Sequence, residues 1–76
     1  MKLKVTKEWI EACAINLANL QNIDPEMTKE QFWNTFSENS RDTMRMEASA
    51  CLIGSLDYMK EQGVIEYIEP DWRELE

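Results

Sequence analysis

The sequence predicts an all-α fold, a compact three-helix domain formed by residues 1–76 as a single unit. Apolar residues recur at helical spacing in three segments, and only two glycines and two prolines interrupt the chain. Hydrophobic residues make up 43% and charged residues 30% of the sequence, as in folded globular proteins. The prediction permits a small two-stranded β-ribbon that joins the N-terminal and C-terminal segments.

The N-terminal segment predicts a short strand followed by a helix. Lysines and apolar residues alternate over Lys2–Val5, so Leu3 and Val5 share one face of an extended chain. Thr6 is placed as the N-cap of a helix over about residues 7–21. The apolar stripe predicted for this helix consists of Trp9, Ile10, Cys13, Ala14, Leu17 and Leu20.

The middle of the chain predicts a break and then a second, shorter helix. Asp24-Pro25 ends the first helix, and Thr28 with Gln31 matches a capping box. The second helix is therefore expected over about residues 29–37. Its aromatic side chains, Phe32, Trp33 and Phe36, are expected in the core, with Trp33 at the rim as a candidate interface anchor.

The longest helix is predicted over about residues 41–62. Ser40 is a candidate N-cap, and Gly63 suits the left-handed position that commonly ends a helix. Residues 64–68 are rich in β-branched and aromatic side chains and could pair with Lys2–Val5. Pro70 ends any such strand, and residues 70–76 are expected to form a polar tail.

This third helix carries apolar residues on two opposite sides. The wider stripe is Met44, Ala48, Cys51, Leu52, Ser55, Leu56 and Met59. The opposite row is Met46, Ala50 and Ile53, and Gly54 next to it would allow a close approach of another backbone. Either the rest of the chain covers this row, or it forms an interface with a second protein. If the row pairs with itself, an antiparallel homodimer through the third helix is the simple arrangement.

The two cysteines have a structural interpretation. Cys13 and Cys51 each lie on the apolar stripe of a predicted helix, where a thiol behaves as a small hydrophobic group. We expect two core thiols, with a disulfide between the helices as the alternative. A conventional zinc site is not expected, since the chain has no histidine and no second pair of cysteines.

The charges are strongly acidic and unevenly placed. The formal net charge is −7; residues 1–7 carry three lysines and no acid, whereas residues 61–76 carry six acids and Arg73. Such a balance disfavours binding to phosphate backbones. The candidate acidic surface is either a solvated end or an imitation of a phosphate backbone, and its residues are Glu66, Glu69, Asp71 and Glu74.

The sequence contains no signature of catalysis, of a cofactor or of a membrane segment. It lacks histidine, a glycine-rich phosphate loop and a nucleophile with a base at a recognisable spacing. No window approaches the roughly 18 apolar residues of a membrane span, and the first residues do not resemble a secretion signal. We therefore expect a cytoplasmic protein that is not an enzyme and has no cofactor.

Together these features predict a small acidic module that acts by binding a protein partner, as an adaptor, inhibitor or regulator. Two alternatives remain. The helix order resembles the outline of a helix-turn-helix or winged-helix DNA-binding regulator, although Arg41, Arg45 and Lys60 are diluted by acids on the third helix. The other alternative is an acidic inhibitor that mimics nucleic acid and occupies a DNA- or RNA-handling protein.

Overall fold

The computed structural model describes residues 2–68. This part of the chain is mostly helical, with three helices and one two-stranded sheet, so the predicted fold class and the ribbon are confirmed in outline. The elements in chain order are β1 (Lys2–Lys4), α1 (Lys7–Asn19), α2 (Lys29–Trp33), α3 (Glu38–Glu61) and β2 (Glu66–Ile68).

Helix α1 begins where its cap predicts and ends two residues early. The Thr6 side chain accepts a hydrogen bond from the Trp9 amide at 3.1 Å, which confirms the N-cap. After Asn19 the chain turns, and the Asn22 side-chain amide donates to the Met27 carbonyl at 2.9 Å. Asp24 accepts from the Glu26 amide at 2.9 Å, so short polar side chains organise the turn before α2.

Helix α2 is shorter than predicted, because the cap of the next helix comes early. The capping box between Thr28 and Gln31 is present. The Ser37 side chain accepts from the Ser40 amide at 3.2 Å, so α3 starts at Glu38, and the prediction of Ser40 as the cap is wrong. Both serines suit a cap, and Ser37 takes the position because its backbone is extended, with φ −67° and ψ 160°, whereas Ser40 already lies inside the helix.

Helix α3 ends in a Schellman motif, with Gly63 at the predicted left-handed position. Gly63 has φ 73°, a left-handed conformation that strains any side chain with a Cβ. The Val64 amide donates to the Met59 carbonyl, and the Gly63 amide donates to the Lys60 carbonyl, both at 3.0 Å. These bonds satisfy the last carbonyls of the helix and turn the chain towards β2.

The two strands are parallel, with Lys2 opposite Glu66 and Lys4 opposite Ile68. One lysine, Lys2, thus lies opposite an acid, and the parallel direction is a feature that the sequence does not predict. Parallel strands need a long crossover, and here residues 5–65 provide it. The Val5 amide extends the ladder by donating to the Ile68 carbonyl at 3.3 Å.

The core consists of two clusters along α1 and α3. The first lies under the ribbon, and its buried residues are Val5, Ile10, Leu56 and Tyr67. The second lies under α2, and its buried residues are Ala14, Ala18, Trp33 and Ala48. Three of these four residues are alanines, which let α1 and α3 approach closely.

The apolar stripes are only partly buried. Leu20 is 82% exposed because α1 ends before it, and Cys51 and Ser55 on α3 are exposed as well. Ile15, by contrast, packs against the second cluster, although it falls outside the predicted stripe of α1. Helix α2 packs mainly against α1 and reaches α3 through Trp33, and the ribbon packs on α3 through Tyr67. Part of the middle of α3 stays open between these contacts.

Candidate protein-interaction surface

The residues of the row predicted on the outer side of α3 differ in their exposure. Met46 is 72% exposed and Ala50 is exposed. Ile53 is half-buried and packs against the first core cluster. Gly54 is exposed, and a Cβ built on it has no neighbour within 4 Å. No packing within the described chain therefore explains a glycine at this helical position.

Trp33 lies in the core, so the prediction that it lies at the rim is wrong. It is 5% exposed and belongs to the second cluster. The Phe36 ring packs edge-on against it, with centroids 6.3 Å apart, and the Arg45 guanidinium lies 5.5 Å from its ring centroid. The short helix α2 docks through this residue, which is therefore unavailable as an interface anchor.

Arg45 is the centre of an ion-pair cluster that joins α1 to α3. Its Nε lies 2.6 Å from Glu11 Oε2, and its Nη2 donates to Glu11 Oε1 at 3.1 Å, a two-pronged contact. Its Nη1 donates to Glu38 at 2.9 Å and to Asp42 at 2.6 Å. Each nitrogen of the guanidinium group therefore has an acidic partner within the chain.

This cluster shifts the protonation of its members. The hydrogen bond from Arg45 holds the pKa of Glu11 below its ordinary value of 4.5, with partial burial acting in the opposite direction. Hydrogen bonding to Glu11 raises the pKa of Arg45, which stays charged. The cluster stabilises the contact between the helices and borders a groove of about 590 Å³ whose lining includes Glu8, Glu11, Glu38 and Asp42.

A second groove, of about 480 Å³, runs between α1 and α3 and is mostly apolar. We call it the apolar groove; its lining residues are Cys13, Asn16, Leu17, Leu20, Ala48, Cys51, Leu52 and Ser55. No aspartate, glutamate, lysine or arginine lines it. The sequence interpretation assigned most of them to the core and so missed the groove. The available signal was size, because Cys51 and Ser55 are small side chains within the apolar stripe of α3 and both are exposed.

The cysteines belong to this groove rather than to a sealed core. Cys13 is half-buried, Cys51 is exposed, and both are free thiols. The prediction of two core thiols is therefore wrong for Cys51. Its exposure follows from the gap between the two clusters, which neither α2 nor the ribbon covers.

The outer side of α3 adjoins the apolar groove at Cys51. Cys51 and Gly54 are three residues apart and so are neighbours on the helix surface. From Gly54, an uncharged row with a spacing of four residues contains Met46, Ala50, Gly54 and Tyr58, all exposed. We call these four residues the outer row. It differs from the predicted row in that Tyr58, 64% exposed, takes part and Ile53 does not.

Only one member of the predicted acidic surface lies in the part of the chain that the structure describes. Glu66 is exposed on β2, opposite Lys2. Glu69, Asp71 and Glu74 lie outside the described residues, as does the predicted polar tail.

Residues 2–68 show neither a cluster of three or more side chains suited to a metal ion nor a helix with the length and apolar character of a membrane span. Comparison of the chain with family models, with curated proteins and with solved structures finds no significant match.

Proposed function

We propose that this protein is a small acidic interaction module that acts by binding a protein partner. The observation that supports the proposal is the apolar groove between α1 and α3, which the described residues leave open. Leu20 at its edge is 82% exposed. Apolar grooves between helices are typical binding sites for a helix of another protein, since they bury its apolar side chains.

The DNA-binding alternative has less support from the same contacts. A recognition helix presents free basic or amide side chains to base edges. Arg41 and Arg45 of α3 instead face Glu38, Glu11 and Asp42 in ion pairs. The remaining basic side chain of the helix is Lys60, whose Nζ lies 5.7 Å from the centroid of the Tyr67 ring. A protein partner therefore agrees better with these side chains than a nucleic acid does.

The test is a comparative affinity capture from the native host, using two variants matched in size and exposure. Leu20→Gln removes an apolar side chain from the groove edge, whereas Ile23→Gln removes one that is 96% exposed and does not line the groove. A partner is accepted only if wild type and Ile23→Gln retain it and Leu20→Gln loses most of it. Equal retention by all three chains would contradict the proposal.

Cys51 provides a second readout with the purified complex. Its thiol is exposed in the groove of the free protein, so it should react readily with an alkylating reagent. A partner seated in the groove should slow that reaction several-fold. An unchanged alkylation rate in the saturated complex would place the partner elsewhere.

A further inference from the structure

We propose that the partner presents an amphipathic helix whose apolar side is bordered by lysine or arginine, and that this helix lies along the outer row of α3. The inference rests on the proposed function and specifies the chemistry of the partner. It is carried by the distribution of charge on the two sides of α3.

All three basic side chains of α3 interact with other residues of the same chain. Arg41 and Arg45 lie in ion pairs with acids of α1 and α3, and Lys60 lies against the Tyr67 ring. These three side chains therefore contribute little positive potential to the outer side of the helix.

The outer row is bordered by acids. Glu47, Asp57 and Glu61 are exposed, and each lies one helical turn from a member of the row. Asp57 also accepts a hydrogen bond from the Tyr67 hydroxyl, a neutral donor that leaves the negative charge of Asp57 in place. An uncharged row with acidic borders is complementary to an apolar helix face with basic borders.

The same charges disfavour the other occupants. A second copy of this chain would bring two net charges of −7 together and place six acids along one seam. A phosphate backbone would be repelled for the same reason. A basic helix gains attraction from each of the three acids, and small side chains at Ala50 and Gly54 let its backbone approach closely.

The test uses a synthetic amphipathic peptide of roughly 18 residues in three versions. All share one apolar face of leucine and alanine, and the borders of that face are lysine, glutamine or glutamate. We expect the lysine peptide to bind the full chain at least roughly tenfold more tightly than the glutamate peptide at low ionic strength, and the difference to shrink in salt.

The protein side of the test uses a double variant, Glu47→Gln with Glu61→Gln. It should weaken binding of the lysine peptide by roughly fivefold and leave the glutamine peptide unaffected. The control, Glu26→Gln with Glu30→Gln, removes the same charge from exposed positions away from α3 and should have a smaller effect. Circular dichroism establishes that both variants keep their helices.

Several results would overturn the inference. They are equal binding of the three peptides, no binding of any of them, equal effects of the two double variants, or sedimentation that shows self-association through the outer row. If Leu20→Gln releases a captured partner while the Glu47 and Glu61 variant retains it, the proposed function stands and this inference fails.

Discussion

At the scale of single residues, Arg45 connects all three helices. Arg45 binds Glu11 of α1 through two nitrogens and lies over the Trp33 ring of α2. The side chains of Arg45 and Glu11 remain 28% and 33% exposed, so solvent screens their attraction. The contact is stabilising through its geometry as well as its charge, since both carboxylate oxygens of Glu11 accept a hydrogen bond from Arg45.

We predict that Glu11→Gln lowers the free energy of unfolding at pH 7 by about 1 kcal/mol. The pKa of Glu11 is lowered in the folded state, so its contribution is complete above the unfolded value and is lost as the pH falls through the folded value. The difference between wild type and variant should therefore be constant from neutral pH to about 5.5 and shrink below about 4.5.

The measurement is urea denaturation followed by circular dichroism over that pH range. Glu26→Gln is the matched control, because Glu26 is exposed and belongs to the turn before α2. A stability difference for Glu11→Gln that did not change with pH would contradict the role of the ionised carboxylate.

At the scale of elements, the helix ends that carry a clear capping signal are predicted more accurately than the other helix ends. The caps at Thr6 and Thr28 and the Schellman motif at Gly63 lie where the sequence predicts them. The length of α2 was overestimated because its last predicted turn is a non-helical turn, in which the Thr35 hydroxyl donates to the Phe32 carbonyl at 2.6 Å. A cap is a short-range contact, and two serines three residues apart both suit one, so the sequence leaves the start of α3 open by about one turn.

The two glycines should respond in opposite directions to the same substitution. Gly54→Ala meets open space in the interior of a helix and should stabilise the free protein by about 1 kcal/mol. Gly63→Ala forces a Cβ into a left-handed conformation and should destabilise it by about 1 kcal/mol. Thermal unfolding of the two variants checks the signs, and a destabilising Gly54→Ala would mean that this glycine has a role within the fold.

At the scale of the whole molecule, the two ends of α3 are covered by different elements. The ribbon packs on the C-terminal half through Tyr67, and α2, which packs mainly against α1, reaches the N-terminal half through Trp33. The apolar groove is the space that remains between these contacts. The open groove thus reflects how few elements residues 2–68 place around one long helix.

Substitution of Ile53 and of Met46 by glutamate should distinguish a position that packs against the core from one that is exposed. Ile53→Glu places a charge against the first core cluster and should destabilise the protein by about 3 kcal/mol. Met46→Glu changes a side chain that is 72% exposed and should change stability by less than about 0.5 kcal/mol. Denaturant titration of both variants is the measurement. A small change in the free energy of unfolding at both positions would mean that Ile53 is exposed and does not pack against the core.

The sequence by itself determined the elements and their boundaries to within a few residues, because helical periodicity and capping contacts act over one or two turns. It also placed Met46, Ala50 and Gly54 on the outer side of α3, where the structure has them exposed. Only the tertiary structure decided the parallel direction of the strands, the burial of Trp33, the covering of Ile53 and the opening of the groove at Cys51. Each of these depends on which distant segment reaches a given side of α3, and a pattern read along one helix contains no information about its neighbours.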